Sequence, residues 1–500
     1  QGRTMRSGQA GMLFRTFVMS AASCDRSANL VVVGGGISGL SAAVKLHQHG
    51  FKVKVLEASE KVGGRMRSLY GPAGVVEIGA QWMHGTVGNP VYDLAKKEGL
   101  MEEEEKYMRM QDETFGRMCF VKEGGEEVDE QVLEDVVSAY DDLLEELEQG
   151  MAAPAGSAED YIRRRLGEEG ALNKHAGLED DVERVLEWKS RMQGNIDGSH
   201  PSTVSTSHFI NFKELEGERI LPVPCGYSKI VQSLANLLPA DAVVTSARVS
   251  SISTLVDQED EERIKLVCSN GQEYFADDVI VATSLGVLKH SDIQFDPELP
   301  QWKREAISRM GMGVVEKVFF EFTEDDMETM EEKGFCFRSI LPRQQDEQSL
   351  SFLCRATGMY RVPMSRYVCM WLTGADVSEK LSKTSDEELI SQFVQLVRAF
   401  ARPTDQPHIP SPFNVVRSSW GSDPHFRGSY SFLSTSSTQE DIRALGEPVV
   451  VGSQQKACHI CFAGEATHEN FYGTVHGAYL AGEREARRMI RLRSAQPIGD

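Results

Sequence analysis

The sequence of 500 residues has no run of about 18 consecutive apolar residues, the length that a membrane-spanning helix requires. Basic residues are also scarce, with 53 Lys and Arg against 75 Asp and Glu and a formal net charge of −22 at pH 7. This surplus of acid disfavours phosphate backbones and anionic membrane surfaces as main partners, so we expect neither nucleic acid nor membrane. The same charge would attract a cationic substrate, or it would only maintain solubility.

A second Cys-x-x-Cys pair is lacking, although Cys458 and Cys461 form a first one. The nine cysteines are an odd number scattered through apolar segments, which is typical of a reducing compartment, and we expect buried thiols and no metal site. The C-terminus lacks Ser-Lys-Leu, so we expect a cytoplasmic protein. The first 24 residues contain no acid, and we expect residues 1–28 to be disordered or a leader; a targeting segment there stays open.

A glycine-rich turn separates a predicted strand, residues 30–33, from a predicted helix. Residues 34–39 read Gly-Gly-Gly-Ile-Ser-Gly, and a second strand ends at Glu57, 18 residues after the last glycine. In such a unit the glycines allow a tight turn, the approach of backbone N–H groups to a pyrophosphate, and close packing of helix on strand. The acid at the end of the second strand can accept the ribose hydroxyls. The pattern predicts a dinucleotide site without a 2′-phosphate.

Other segments have clear periodicity. Residues 126–149 predict an acidic amphipathic helix, and we interpret its carboxylates as a solvated face. Residues 243–282 predict a β-rich stretch, residues 314–322 a further strand, and residues 474–491 a long helix.

Further motifs follow the glycine-rich turn. Residues 57–65 read Glu-Ala-Ser-Glu-Lys-Val-Gly-Gly-Arg, and residues 79–85 read Gly-Ala-Gln-Trp-Met-His-Gly. Near the end, residues 462–468 read Phe-Ala-Gly-Glu-Ala-Thr-His and residues 474–478 read Thr-Val-His-Gly-Ala. From about residue 29 to about residue 491, these motifs together resemble the FAD-dependent polyamine oxidases, the spermine oxidase and N1-acetylpolyamine oxidase group of the flavin amine oxidase family.

The resemblance implies an α/β fold in which a Rossmann-like FAD-binding lobe is interleaved with an α+β substrate-binding lobe. The FAD-binding parts would be residues 29–90, 223–290 and 431–495, and the substrate-binding parts residues 91–222 and 291–430. The cofactor would be non-covalent FAD. Its binding residues would be Gly34, Gly36, Ser38, Gly39, Glu57, Arg65, Gly79, Ala80, Gln81, Trp82, Val249, Trp420, Glu465, Thr474 and Val475.

Within that set, the resemblance implies distinct contacts. Glu57 would hold the adenosine ribose, Arg65 would contact the pyrophosphate, and the backbone of Val249 would meet the adenine. Glu465 would reach a phosphate or ribityl oxygen. Thr474 and Val475 would present N–H groups from a helix N-terminus to the flavin pyrimidine, where reduced flavin gathers negative charge.

The implied reaction oxidises a secondary amine of a polyamine with O2 as acceptor, giving a shorter polyamine, an aldehyde and H2O2. An alkylamine has a pKa of ~10.4, so keeping it neutral at pH 7 costs about 4–5 kcal/mol, and the site must be dry and offer a proton acceptor. His84 is the candidate for binding or deprotonating the substrate nitrogen. Lys317 shares a strand face with Val315 and Phe319, an unfavourable place for a charge, and matches the family lysine that holds a water near flavin N5.

We expect Tyr430, Trp82, Thr474 and Asp197 to bind the substrate, with Asp197 as an acid at the mouth of the tunnel. Gly473 stands where spermine-handling relatives tend to have a hydroxyl residue, so a preference for free or acetylated polyamines stays open. The expected partners are the polyamine and O2, and the expected state is a monomer. A flavin monoamine oxidase and a flavin-bound interaction protein without turnover stay open as alternatives.

Overall fold

The computed structural model describes residues 28–151, 156–170, 173–256, 262–343, 346–452 and 457–494, so residues 1–27 of the expected leader lie outside it. One sheet, the parallel sheet, collects strands from three distant parts of the chain. Its strands, in spatial order, are Val449–Gly452, Ala457–Phe462, Asp278–Val281, Asn29–Val33, Lys52–Leu56 and Val243–Val244. All neighbours run parallel except the pair Val449–Gly452 and Ala457–Phe462 at one edge.

Both faces of the parallel sheet are covered, which explains why its strands are almost continuously apolar. Alternate residues of Asn29–Val33 contact opposite layers: Leu30 and Val32 pack among helices, while Val31 and Val33 pack on a four-stranded sheet. That second sheet has the order Glu273–Ala276, Glu262–Cys268, Val249–Val256 and Gln294–Asp296. Residues 243–282 therefore contain five strands, as the sequence predicted in outline. Cys458 and Cys461 are both buried in Ala457–Phe462.

A largely antiparallel sheet forms the other lobe. Its spatial order is Asn414–Arg417, Val315–Glu321, Tyr367–Thr373, Gly358–Arg361, Phe337–Ile340 and Cys119–Val121. Only its last two strands, Phe337–Ile340 and Cys119–Val121, pair in parallel. Three two-stranded ribbons complete the strands. They pair Ser68–Gly71 with Gly74–Glu77, Trp82–Met83 with Leu221–Pro222, and Gly311–Met312 with Ser431–Phe432.

The helices occupy the connections between strands. They are Ile37–Gln48, Pro90–Lys97, Glu104–Gly116, Glu130–Glu148, Ala158–Glu169, Glu179–Asp197, Thr206–Asn211, Tyr227–Ala235, Leu285–Lys289, Gln301–Arg309, Glu324–Glu332, Asp346–Ser349, Ala375–Lys383, Asp386–Ala399, Gln439–Gly446 and Val475–Ser494. The expected acidic helix begins after Asp129, whose side chain accepts a hydrogen bond from Val132 N. Within the described ranges, none of these helices combines the length and apolarity needed to span a bilayer.

An ion cluster joins the last helix to the parallel sheet. Asp278 is fully buried, and its Oδ2 accepts from Arg493 Nε at 2.7 Å and pairs with Arg493 Nη2 at 2.5 Å. Its Oδ1 accepts from the backbone N of His459 at 2.8 Å. The C-terminal end of Val475–Ser494 is thereby fixed to the sheet, while the other end of this helix begins at the cavity described below.

We expect Asp278→Asn to lower the free energy of unfolding by about 3–5 kcal/mol, because it leaves the buried Arg493 guanidinium without a counter-ion. The midpoint of urea-induced unfolding measures this loss. Asp241→Asn is the control, since Asp241 pairs with Lys54 at an exposed position and its loss should leave the midpoint in place. Equal midpoints for the two variants would contradict the role given to Asp278.

Candidate active site

One cavity of about 1270 Å³ lies between the parallel sheet and the antiparallel sheet. This volume exceeds the ~300–1,000 Å³ of ordinary ligand pockets. Gly34, Glu57 and Ala282 line the cavity and directly follow three strands of the parallel sheet, so one end lies at the carboxyl edge where such sheets bind ligands. The opposite end is lined by side chains such as Glu148 and Tyr360.

The glycine-rich turn has the geometry that a dinucleotide needs. Gly34 has φ +109°, and its N–H donates to Leu56 O at 2.8 Å. A Cβ on Gly39 would lie 1.9 Å from Gly34 O, so strand and helix could not approach as they do. At Gly36 the nearest atom to an added Cβ is 3.9 Å away, which leaves space beside the N-terminus of Ile37–Gln48.

Two hydroxyl groups beside this turn have no hydrogen-bond partner among the residues that the structure describes. Ser38 Oγ and Thr283 Oγ1 are both buried, and both residues line the cavity. Buried hydroxyls are nearly always paired in proteins, so these two point to an acceptor that occupies the cavity. Together with the N-terminus of Ile37–Gln48, they suit the oxygens of a pyrophosphate.

Glu57 is buried at the same end of the cavity as Val249. Its Oε2 accepts from Gly35 N at 2.6 Å, and its Oε1 accepts from Ser59 N at 2.8 Å. Both bonds hold the carboxylate in place, and each oxygen keeps lone-pair capacity for a further donor such as a ribose hydroxyl.

Arg65 and Glu465 contact each other in the middle of the cavity wall. Arg65 Nη1 donates to Glu465 Oε1 at 2.8 Å and to Ser429 O at 2.7 Å. Glu465 Oε2 accepts from Ser431 Oγ at 2.5 Å and from Gly473 N at 2.8 Å. The resemblance implies a separate cofactor contact for each of them, and the structure adds that each also orients the other.

Lys317 lies in Val315–Glu321, between two other strands of the antiparallel sheet, and is buried. Its Nζ donates to Glu77 O at 3.0 Å, Gly79 O at 2.8 Å and Gln81 Oε1 at 2.9 Å. Burial lowers the pKa of Lys317 to about 8. Because strands pair with Val315–Glu321 on both sides, Lys317 does not lie on an edge strand, from which its ammonium could reach solvent.

Aromatic rings continue the wall from Lys317. The Lys317 ammonium lies 4.3 Å from the ring centroid of Trp371, and Trp371 stacks on Trp82 with 5.1 Å between centroids. Trp82 Nε1 donates to Gln111 Oε1 at 2.9 Å, which fixes the indole. The sequence analysis missed Trp371, although its alternation with Cys369 and Thr373 on one strand could have placed it on the cavity face.

His84 lies in the loop after Trp82–Met83 and lines the cavity. Its Nδ1 is 3.0 Å from Arg219 O, and since a carbonyl only accepts, this nitrogen carries the proton. In the neutral ring Nε2 is then an acceptor. The His84 side chain is exposed to the cavity, yet the surrounding protein still desolvates the ring and lowers its pKa, which favours that neutral form. The loop is held in turn by Gly85 N, which donates to Glu218 O at 2.9 Å.

The N-terminus of Val475–Ser494 meets the cavity beside these groups. Thr474 caps the helix, because its Oγ1 accepts from Gly477 N at 3.0 Å. The N–H groups of the first turn have no carbonyl within the helix and can serve an anion. His476, in this turn, is buried with Nε2 unpaired, and burial lowers its pKa to about 3, so its ring stays neutral.

Tyr430 and Asp197 adjoin each other on the far wall. Tyr430 OH donates to Asn195 O, and burial raises the pKa of Tyr430. Asp197 accepts from Gln193 Nε2 at 3.0 Å and faces His208 Nε2 at 3.5 Å. Asp197 lines the cavity but is only 5% exposed, so it lies inside the wall rather than at the solvent-facing mouth that the sequence predicted.

The acids at the mouth come instead from the helix Glu130–Glu148. Asp141, Glu145 and Glu148 all line the cavity, as does Glu214. Asp141 pairs with Lys189 at 2.6 Å and Glu214 with Arg219 at 2.6 Å. Burial and the charge of Glu214 raise the pKa of Glu148. The sequence predicted that the acids of this helix face bulk solvent, but three of them line the cavity. Helical periodicity shows which face of a helix is polar and does not show whether that face meets bulk solvent or a cavity.

Trp420 closes the cavity beneath Gly79. A Cβ on Gly79 would lie 3.2 Å from the Trp420 ring, and Trp420 Nε1 donates to Ile78 O at 3.1 Å. The ring is buried, so the backbone around Gly79 can shift little.

The model of the family described as "Flavin containing amine oxidoreductase" matches residues 37–490. The chain belongs to this family. It is 33% identical over 505 residues to the human "Peroxisomal N(1)-acetyl-spermine/spermidine oxidase", covering 93% of this chain and 96% of the relative. It is 29% identical over 541 residues to "Probable polyamine oxidase 5" of Arabidopsis thaliana, covering 93% and 98%. The solved cyclohexylamine oxidase of Brevibacterium oxydans IH-35A has a TM-score of 0.66 at 17% identity, covering 93% and 99%, which confirms the fold.

The cofactor of this flavin containing amine oxidoreductase is FAD, and the cavity fits it. The unpaired hydroxyls of Ser38 and Thr283 and the open space at Gly36 match a pyrophosphate, and Glu57 matches a ribose. Residues 79–82 and the first turn of Val475–Ser494 would then face the ring system. Among the described residues, no cluster of three His, Cys, Asp or Glu could hold a metal ion.

We expect Glu57→Gln to weaken FAD binding at least tenfold. A glutamine amide offers one acceptor where Gly35 N and Ser59 N need two, so one buried N–H loses its partner, at a cost of ~1–3 kcal/mol. Flavin absorbance per mole of purified protein and fluorescence titration of the apoprotein measure this. The exposed Glu60→Gln is the control; if both variants retain FAD like the wild type, Glu57 has no part in binding it.

Proposed function

We propose that this oxidoreductase oxidises polyamines at a secondary amine with O2 as acceptor, giving a shorter polyamine, an aldehyde and H2O2. The printed names of the human and Arabidopsis relatives support this substrate class. We further propose residues 29–90, 223–290 and 431–495 as the FAD-binding parts and residues 91–222 and 291–430 as the substrate-binding parts. A cytoplasmic monomer stays a prediction of the sequence, and the human relative is by its name peroxisomal.

The observation that carries this proposal is the acidic mouth of the cavity that also fits FAD. Glu145 and Glu148 lie there without a salt bridge to any part of the chain that the structure describes, whereas Asp141 and Glu214 have basic partners. Burial raises the pKa of Glu148, and the charges of the neighbouring acids Glu214, Glu145 and Asp197 add to this rise. A polycation that enters would relieve that repulsion, and a neutral amine would not.

Beyond the mouth, the walls favour an uncharged reacting nitrogen. Trp82, Trp371 and Tyr430 line the cavity and offer aromatic surface to an aliphatic chain. The neutral His84 offers Nε2 as an acceptor for the proton of the amine. When bound, the flavin accepts two electrons from the substrate and passes them to O2. The substrate carbon, having lost a hydride, forms an imine that water splits into an aldehyde and an amine.

Anaerobic mixing of the FAD-loaded protein with spermine, spermidine and their N1-acetyl forms tests the proposal. We expect at least one polyamine to reduce the flavin, which is seen as loss of the absorbance of oxidised flavin after anaerobic mixing. In the presence of air, the same polyamine should give H2O2. Benzylamine serves as the monoamine control. Unbleached flavin with every polyamine, or faster bleaching with benzylamine, would contradict polyamine oxidation.

We expect Lys317→Met to slow the reaction of the reduced protein with O2 by ~10²-fold, because the ammonium stabilises the negative charge that develops as electrons reach O2. The pKa of Lys317 is about 8, so the wild-type rate should fall as the pH rises through 8 and the lysine loses its proton. Stopped-flow recovery of flavin absorbance measures both effects. A pH-independent wild type, or a Lys317→Met variant that keeps the pH dependence, would refute this role; Lys189→Met is the control that should keep it.

A further inference from the structure

We propose, on the basis of the proposed function, that Asn89 is a positioning residue for the reaction, because its side-chain amide fixes the loop that carries His84. This loop, residues 84–88, is called the His84 loop below. Asn89 follows it directly, is 1% exposed and does not itself line the cavity. A proton acceptor must be held at a fixed place beside its substrate. A residue that fixes its backbone therefore acts on the reaction without touching the substrate.

The oxygen of the Asn89 side chain caps the helix Pro90–Lys97. Asn89 Oδ1 accepts from Val91 N at 3.0 Å and from Tyr92 N at 3.3 Å. Both N–H groups belong to the first turn, where a helix provides no carbonyl of its own. Serine caps helices about as well as asparagine, because it also provides a side-chain oxygen. The cap therefore does not require the nitrogen of the amide.

The nitrogen of the same amide holds the His84 loop. Asn89 Nδ2 donates to Gly85 O at 2.9 Å and, over a longer distance of 3.5 Å, to His84 O. An amide nitrogen carries two N–H groups, so one can serve each carbonyl. Because the helix fixes Oδ1, the same bonds aim Nδ2 at the loop. One side chain thus joins the His84 loop to a helix outside the cavity wall.

The other side of the His84 loop bonds to residues 216–219. The backbone N–H groups of Gly85 and Thr86 donate, each at 2.9 Å, to carbonyls of this segment. His84 Nδ1 lies 3.0 Å from a further carbonyl of the same segment. The loop is therefore held at its N–H groups by residues 216–219 and at two of its carbonyls by Asn89. Gly85 is buried, so without the amide its carbonyl must move to reach water.

We expect Asn89→Ser to keep the helix cap and to release the His84 loop. Serine is one atom shorter than asparagine, so its hydroxyl cannot reach Gly85 O while it caps the helix. Since a displacement of ~1 Å can slow a reaction ~10²-fold, the rate of anaerobic flavin reduction at saturating polyamine should fall about tenfold or more. The polyamine concentration that gives half of this rate should change little, because the acidic mouth is unaltered.

The pH profile of flavin reduction reports the surroundings of His84. Desolvation and the charge of Arg219 lower the pKa of His84, whereas the hydrogen bond to Arg219 O and the charge of Glu214 raise it. His476, on the last helix, also interacts with this ring and stays neutral. In Asn89→Ser the released loop admits water, so the pKa of His84 should rise and the acid-side midpoint of the profile should move to higher pH. A simple loss of active protein would lower the profile and leave its midpoint in place.

Two further variants separate the cap from the hold on the loop. Asn89→Ala removes both, so it should reduce flavin as slowly as Asn89→Ser but unfold at a lower urea concentration. Asn270→Ser is the matched control. Asn270 is exposed, and its side chain likewise accepts from Gln272 N and donates to Ser246 O, so this variant should keep the wild-type rate and pH midpoint. Flavin absorbance per mole of protein measures the FAD content of each variant.

The outcomes separate this inference from the function on which it rests. A wild-type rate and pH midpoint in Asn89→Ser, with only Asn89→Ala impaired, would restrict Asn89 to the helix cap and overturn the inference. A loss of FAD with an unchanged reduction rate per bound flavin would overturn it as well. In both cases polyamine oxidation would stand. If no polyamine reduces the flavin of the wild type, the proposed function is refuted, and the role of Asn89 is refuted with it.

Discussion

The hydrogen bonds of Lys317 hold the two lobes of the molecule at the reacting position. The lysine belongs to the antiparallel sheet, whereas its acceptors, Glu77 O, Gly79 O and Gln81 Oε1, belong to the segment that would line the flavin. The neighbouring Glu316 is fully buried and accepts from Trp420 N at 3.1 Å, and Trp420 Nε1 in turn donates to Ile78 O in the same flavin-facing segment at 3.1 Å. The strand Val315–Glu321 thus contacts both the segment at residues 77–81 and the segment at Trp420.

The charges around the cavity are arranged in order along its length. Helix N-termini at Ile37 and Val475 present unpaired N–H groups where a cofactor carries negative charge. Acids collect at the mouth on Glu130–Glu148, where a cation enters. Between these ends the titratable rings of His84 and His476 stay neutral because burial lowers their pKa values. A site that must remove a proton from an amine gains from this arrangement, since a neutral imidazole can accept that proton.

The sequence predicted the parts of the site that local geometry imposes. The turn at residues 34–39, the buried Glu57 and the helix after Thr474 depend on neighbouring residues, so a motif is enough to place them. Asp197 was predicted at the mouth of the cavity, but it is the last residue of the helix Glu179–Asp197 and is buried. The sequence shows that this residue is acidic and does not show whether the end of its helix faces solvent. Trp371, Tyr360 and the acids of Glu130–Glu148 were missed because each becomes part of the site only through long-range pairing. No spacing along the chain reports that pairing.

The burial of charge at this joint also sets how its stability varies with pH. Burial raises the pKa of Glu77 from 4.5 to about 7. Between these two values the folded state holds a proton that the unfolded chain has released, so stability falls as the pH rises from about 4.5 to about 7. Burial lowers the pKa of Lys317 to about 8, so between about pH 8 and 10.5 the unfolded chain binds the extra proton and stability rises with pH. Both groups therefore weaken the fold most between pH 7 and 8. An uncharged pair would pack there at less cost, because the hydrogen bonds from Lys317 Nζ to Glu77 O, Gly79 O and Gln81 Oε1 offset only part of the desolvation of the lysine.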